Sequence, residues 1–139
     1  MVKKAVAKTV DSTRHTNFIK VAESFYEAAR MAYELEYYDA SGVLYIRSAI
    51  AYADAITIKL SGKKCSGENH YAVINLLDEV LPQSTIDKRA FSNFKRLIDH
   101  KNLVSYTGDI YHKKDLDKIG KHFERFKSWS DTVLNISRD

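Results

Sequence analysis

Tyr45-Ile46-Arg47-Ser48-Ala49-Ile50-Ala51-Tyr52-Ala53-Asp54-Ala55-Ile56-Thr57-Ile58-Lys59-Leu60 is the stretch that decides the fold. Tyr45, Ala49, Tyr52, Ala53, Ile56 and Leu60 recur at three- and four-residue steps, the period of an α-helix. Ile46, Ile50 and Ile58 widen that stripe around the cylinder. A helix apolar on most sides belongs at the centre of a bundle, where neighbours cover each face.

The same period continues on both sides. Phe18, Val21, Ala22, Phe25, Ala29 and Ala32 predict a first helix over Thr16–Tyr38, with Asp39, Ala40 and Ser41 as the turn. Ser61–Gly67 reads as a loop. A short third helix carries Val73, Ile74, Leu76, Leu77, Val80 and Leu81, and Pro82 stops it. Ser84-Thr85-Ile86-Asp87 has capping-box spacing and predicts the start of a fourth helix running to Tyr106. Gly108 suits a left-handed stop. Leu116, Ile119, Phe123, Phe126, Trp129 and Val133 predict a fifth helix over Lys113–Ile136. No period-two alternation or Asn-Gly and Asp-Gly hairpin signal speaks for strands. The fold class is therefore all-α: an antiparallel up-and-down bundle of four long helices plus one shorter, about five in total.

A chain of 139 residues has room for one core. Residues 1–15 read as a flexible basic tail and 16–139 as a single bundle domain. The basic start lacks the apolar core of a signal peptide, and no run approaches the roughly 18 apolar residues of a membrane helix. The single cysteine, Cys65, rules out an internal disulfide. A cytoplasmic protein with no membrane association is expected.

The formal charge of +4 is unevenly spread. Residues 21–85 hold five basic and nine acidic groups, whereas residues 86–127 hold eleven basic and six acidic. A basic second half can face a polyanion, or it can complement the acidic helices within the fold.

The common catalytic signatures are missing. No His stands three residues after a Glu, as the metal pairs of di-iron bundles require, so no metal site and no cofactor are expected. There is no phosphate-cradling glycine loop, no Gly-x-Ser-x-Gly and no His-Glu-x-x-His.

The fourth helix carries the one odd polar patch. Ala90, Phe91, Phe94, Leu97, Ile98 and Val104 define its apolar stripe, yet Lys101 and Ser105 fall inside that stripe and Asn102 and Tyr106 on its flank. A lysine on an inward face needs a partner or a path to water. It can snorkel near the helix end, pair with Asp54 or Asp78, or line a solvated cleft or dimer interface. In the last case Lys101, Asn102, Ser105 and Tyr106 are the ligand-binding residues. Asp54 and Arg47, seven apart on one helix, read as partners in inter-helix ion pairs.

Lys101-Asn102-Leu103-Val104-Ser105-Tyr106-Thr107-Gly108, ending a fourth helix before an amphipathic fifth, resembles the HEPN superfamily. Ser48-Ala49-Ile50-Ala51-Tyr52-Ala53-Asp54-Ala55 and the loop before His70 add to the resemblance, which spans Thr16–Ile136. The likeness implies a dimeric helical bundle, often paired with a minimal nucleotidyltransferase in toxin–antitoxin systems. Active members are metal-independent ribonucleases using an Arg, commonly followed by Asn, Asp or His, and a His four to six residues on. Here Lys101 stands at the Arg position and Tyr106 near the His position, while Asn102 matches. Lys101 loses bidentate phosphate recognition, and an ordinary phenol titrates near pH 10.

The resemblance therefore implies a non-catalytic nucleotide- or RNA-associated binding module. The alternatives are an accessory module that pairs with a nucleotidyltransferase-like protein, and a weak metal-independent ribonuclease drawing on Lys101, Tyr106, His100 or His112. A homodimer is expected in each.

Overall fold

The computed structural model describes residues 7–66, 69–106 and 108–136; for residues 101–106 it describes the backbone course and not the side chains. The elements are β1 (Ala7–Thr9), α1 (His15–Glu34), α2 (Tyr38–Ser61), β2 (Lys63–Cys65), α3 (Tyr71–Val80), α4 (Lys88–Tyr106) and α5 (Lys113–Leu134). The all-α bundle of four long helices and one short is as the sequence predicts.

α2 is the central helix, packed against α1, α3, α4 and α5. Its apolar sides are buried nearly all round, Ile46, Tyr52, Ile56 and Ile58 being almost wholly enclosed. The pairings fix the directions. The Ser41 and Ser48 hydroxyls donate to the carbonyls of Ala29 and Ala22, at 2.8 and 2.6 Å, so α1 runs antiparallel to α2. Phe94 stacks on Phe126 at 4.7 Å and Phe91 meets Trp129 edge-on at 5.8 Å, so α4 runs antiparallel to α5. Tyr45 lies beside Phe123, and Lys59 donates to the carbonyl of Leu134 at 2.9 Å, so α2 and α5 run the same way. The four long helices thus alternate up and down along the chain.

Small residues draw α1 onto α2. Ala22 and Ala29 are fully buried, seven residues apart, and face Ser41 and Ser48, also seven apart and fully buried. Side chains this short let the helix backbones approach closely enough for each hydroxyl to reach across to a carbonyl.

Three local expectations need correction. The α1–α2 turn falls at residues 35–37, with Glu36 at φ 64°, and not at 39–41. Asp39 and Ser41 have tertiary partners instead: the Asp39 carboxylate accepts from the Tyr111 amide at 2.8 Å. The cap of α4 is Asp87, which accepts from the amides of Arg89 and Ala90, while residues 83–85 form a separate 3-10 turn. The loop after α2 contains β2, which pairs antiparallel with β1 in the register Ala7 to Cys65 and Thr9 to Lys63. Residues 1–15, read as a flexible tail, are therefore tied to the bundle from Ala7 onward. Gly62 makes this possible: it ends α2 at φ 66°, and a Cβ there would sit 3.2 Å from the Val10 carbonyl.

β2 also closes over Asp54. Its carboxylate is buried and 3.8 Å from the Lys64 ammonium, so its ion partner is Lys64, while Arg47 is exposed to solvent. Cys65 beside it is buried. Among the described residues, no helix is long and apolar enough to cross a membrane.

Candidate functional site

The inward row of α4 is built as the periodicity requires, with Ala90, Phe94, Leu97 and Ile98 buried against α2 and α5. Position 101 continues that row by one turn. The side chains of Lys101, Asn102, Ser105 and Tyr106 lie outside the described residues, so the predicted ligand-binding set is placed by its backbone alone, on the last turns of α4.

The neighbours of that segment are described, and they anchor it. His100 and Tyr111 meet at 2.9 Å between imidazole Nδ1 and phenol oxygen, their rings edge-on. Burial holds the His100 pKa below its usual range. Tyr111 in turn is fastened to α2 through Asp39. His112 occupies the cap of α5, where its backbone carbonyl accepts from the Asp115 amide at 3.0 Å and the Asp115 carboxylate accepts from the His112 amide at 2.8 Å. Of the two histidines offered as catalytic candidates, His100 is engaged through its imidazole and His112 is tied into the α4–α5 connection through its backbone.

A basic groove lies along the outer seam of α4 and α5. Arg89, Asn93 and Arg96 line it from α4, at helical spacing; His122, Arg125 and Trp129 line it from α5, also on one face. Its volume is about 920 Å³. Asn93 is buried, and His122 Nδ1 donates to its side-chain oxygen at 3.1 Å. Burial first, then the guanidinium groups of Arg96 and Arg125 and the nearby His100, depress the His122 pKa.

Two carboxylates share the wall, but both are engaged. Asp87 caps α4, and Glu124 accepts from the Tyr26 hydroxyl at 2.8 Å. Burial first, together with that last bond, pushes the Tyr26 phenol up to about 12. The exposed guanidiniums of Arg89, Arg96 and Arg125 therefore dominate the groove, which suits an anion.

No family model and no curated protein matches this chain. Among the described residues, no three His, Cys, Asp or Glu side chains converge as a metal site would require.

Apolar periodicity alone does not reveal this groove. The signal was present: Arg89, Asn93 and Arg96 stand at i, i+4 and i+7, and His122, Arg125 and Trp129 at i, i+3 and i+7. Arg89, Arg96, His122 and Arg125 flank the core stripes, and Asn93 and Trp129 stand at their edges. Only the antiparallel pairing of α4 with α5 makes the two stripes adjacent.

Proposed function

We propose that the protein is a HEPN-like, non-catalytic binding module of the cytoplasm that holds RNA or nucleotide phosphate along the α4–α5 face. The observation that carries this reading is the convergence of Arg89, Arg96 and Arg125 with His122 in one groove. Guanidinium groups bind phosphate oxygens through paired N–H donors, and several along one groove match a polyanion's spacing. Lys101 and Asn102, the residues that the resemblance singles out for binding, fall on the last turns of the same helix. Binding without cleavage fits a chain with Lys101 and Tyr106 at the positions of a ribonuclease Arg and His.

The test is incubation of labelled single-stranded RNA with the protein in chelator, scored for both mobility shift and cleavage. A shift without cleavage, weakened by Arg96→Ala and by Lys101→Ala, is the expected result. Absence of any shift at low salt would sink the reading.

A second reading, an accessory module for a protein partner such as a nucleotidyltransferase of a toxin–antitoxin pair, draws on a different observation. Met31, Leu35, Tyr37 and Ile110 are more than 60% exposed. Large side chains left in water favour a protein partner or a second copy of the chain. Sedimentation of the wild type beside Met31→Glu tests for the homodimer: a dimer converted to monomer supports it, and a wild-type monomer removes it.

A further inference from the structure

Beside the arginine groove lies a second recess of about 810 Å³, walled by Leu60, Pro82, Ile86, Trp129 and Val133. These five apolar residues share the lining with polar and charged ones, Ser84, Lys88, Thr132 and Asn135 among them, and the recess is open to solvent: Leu60 and Pro82 are exposed, and Ile86 and Val133 only half-buried. The two recesses are contiguous, since Asp87, Arg89 and Trp129 line both. Trp129 is held in place. Its indole N–H donates to the Thr85 carbonyl at 3.2 Å, and its ring packs against Phe91 and Phe126. Arg89 stands at the boundary, on the first turn of α4.

An amphiphile of one particular kind matches this pair: an anionic group on one side and a flat, weakly polar ring within a few ångströms on the other. An aliphatic acid would fill the second recess but use one guanidinium of three. Inorganic phosphate would leave the recess wet. A nucleotide would fill both, its phosphate among the guanidiniums and its base against Trp129 and Ile86. Bases bind proteins through their π-faces and apolar edges once unstacked.

We propose that the two recesses form one nucleotide-binding site, phosphate in the arginine groove and a splayed-out base in the recess beside Trp129. The inference rests on the phosphate reading above and adds its substrate class: a nucleotide unit whose base is free, alone or in a single strand, and not a duplex. A paired base must first be unpaired and pulled from its stack to enter the recess, and that cost disfavours a duplex.

Trp129 is the single tryptophan of the chain, so its fluorescence reports the recess directly. The full-length protein is titrated with AMP, ribose 5-phosphate and adenosine, then with a single-stranded oligoadenylate and its duplex. AMP is expected to bind about tenfold more tightly than ribose 5-phosphate and to change the fluorescence. Ile86→Asp and Val133→Asp should each bring AMP down to the level of ribose 5-phosphate without weakening the latter. Because the wild-type comparison needs no variant, misfolding of either one leaves the result intact.

Equal binding of AMP and ribose 5-phosphate would overturn the base subsite while the phosphate reading stands. Adenosine binding as well as AMP would overturn the joint site. If nothing binds, both readings fall together. Among supporting outcomes, a single strand bound far more tightly than AMP identifies RNA as the source, and comparable affinities identify the free nucleotide.

Discussion

His122 Nδ1 donates to the buried side-chain oxygen of Asn93, 3.1 Å away across the α4–α5 seam. An amide oxygen only accepts, so Nδ1 carries the proton and the neutral ring is left with its Nε2 lone pair. Burial and the guanidiniums of Arg96 and Arg125 favour this neutral form. The free groove is thus three arginines and a poised imidazole.

Phosphate binding should therefore be linked to proton uptake. The charged and titratable groups around His122 are Arg89, Arg96 and His100 from α4, Asp87 at its cap, and Arg125 and Glu124 from α5. A bound phosphate offsets the guanidinium field, so the His122 pKa is higher in the complex than in the free protein. Binding must then tighten as pH falls through that window, roughly tenfold if the shift is about one unit. RNA affinity measured from pH 5.5 to 8 in the wild type and in His122→Gln checks this. A slope of equal size in both proteins would remove His122 from the linkage.

The salt dependence of binding should report the contacts one by one. Each phosphate contact on a single strand contributes a slope of about −0.7 in log K against log salt. Arg96→Ala and Arg125→Ala should each reduce the slope by about that amount. An unchanged slope with weaker binding would mean that the substitution acted through the fold.

Much of the bundle was legible because apolar spacing alone carried it. The stripe from Tyr45 to Ile58 predicts a central helix, and Pro82 and Gly108 punctuate the chain where expected. What the sequence could not show depends on partners distant in the chain. Asp39 and Ser41 look like turn residues, yet Tyr111 and Ala29 give them tertiary roles inside α2. Ser84 has the spacing of a cap, but Asp87 is the residue whose carboxylate reaches the free amides. β1 and β2, three residues each, fall below any periodic signal, and their pairing depends on Gly62 turning the chain back. The arginine groove is a product of two helices, and neither stripe alone announces it.

The close approach of α1 to α2 predicts intolerance to bulk. Ala22 and Ala29 are fully buried beneath the carbonyls that Ser48 and Ser41 bond. Ala22→Leu must push α1 outward and break the hydroxyl-to-carbonyl bond, costing about 1–3 kcal/mol. Ser48→Ala keeps the spacing and loses only the bond, about 1 kcal/mol. Urea unfolding of the three proteins measures both. A Leu variant as stable as the wild type would show that the seam has room to spare.

Asp54 supplies the clearest pH signature of stability. Burial raises its pKa to about 6, against the opposing pull of the Lys64 ammonium. Its unfolded value is ordinary, about 4. Between those two pH values the folded protein holds a proton that the unfolded chain releases. The contribution of Asp54 is therefore fully present below about pH 4 and is lost as pH rises through about 6. Ionised Asp54 then costs the fold its desolvation. An uncharged amide in its place would avoid that cost while keeping a polar group beneath Lys64. Asp54→Asn should accordingly be more stable than the wild type at pH 8, by about 1–3 kcal/mol. That gain should shrink through pH 6 and vanish near pH 4. Taking the difference between the two proteins cancels the opposing contributions of His100 and His122, whose depressed pKa values weaken both folds alike on acidification. Denaturant unfolding of the pair across pH 4–8 makes the measurement. A stability difference that does not vary with pH would mean that Asp54 is ionised throughout, with Lys64 outweighing its burial.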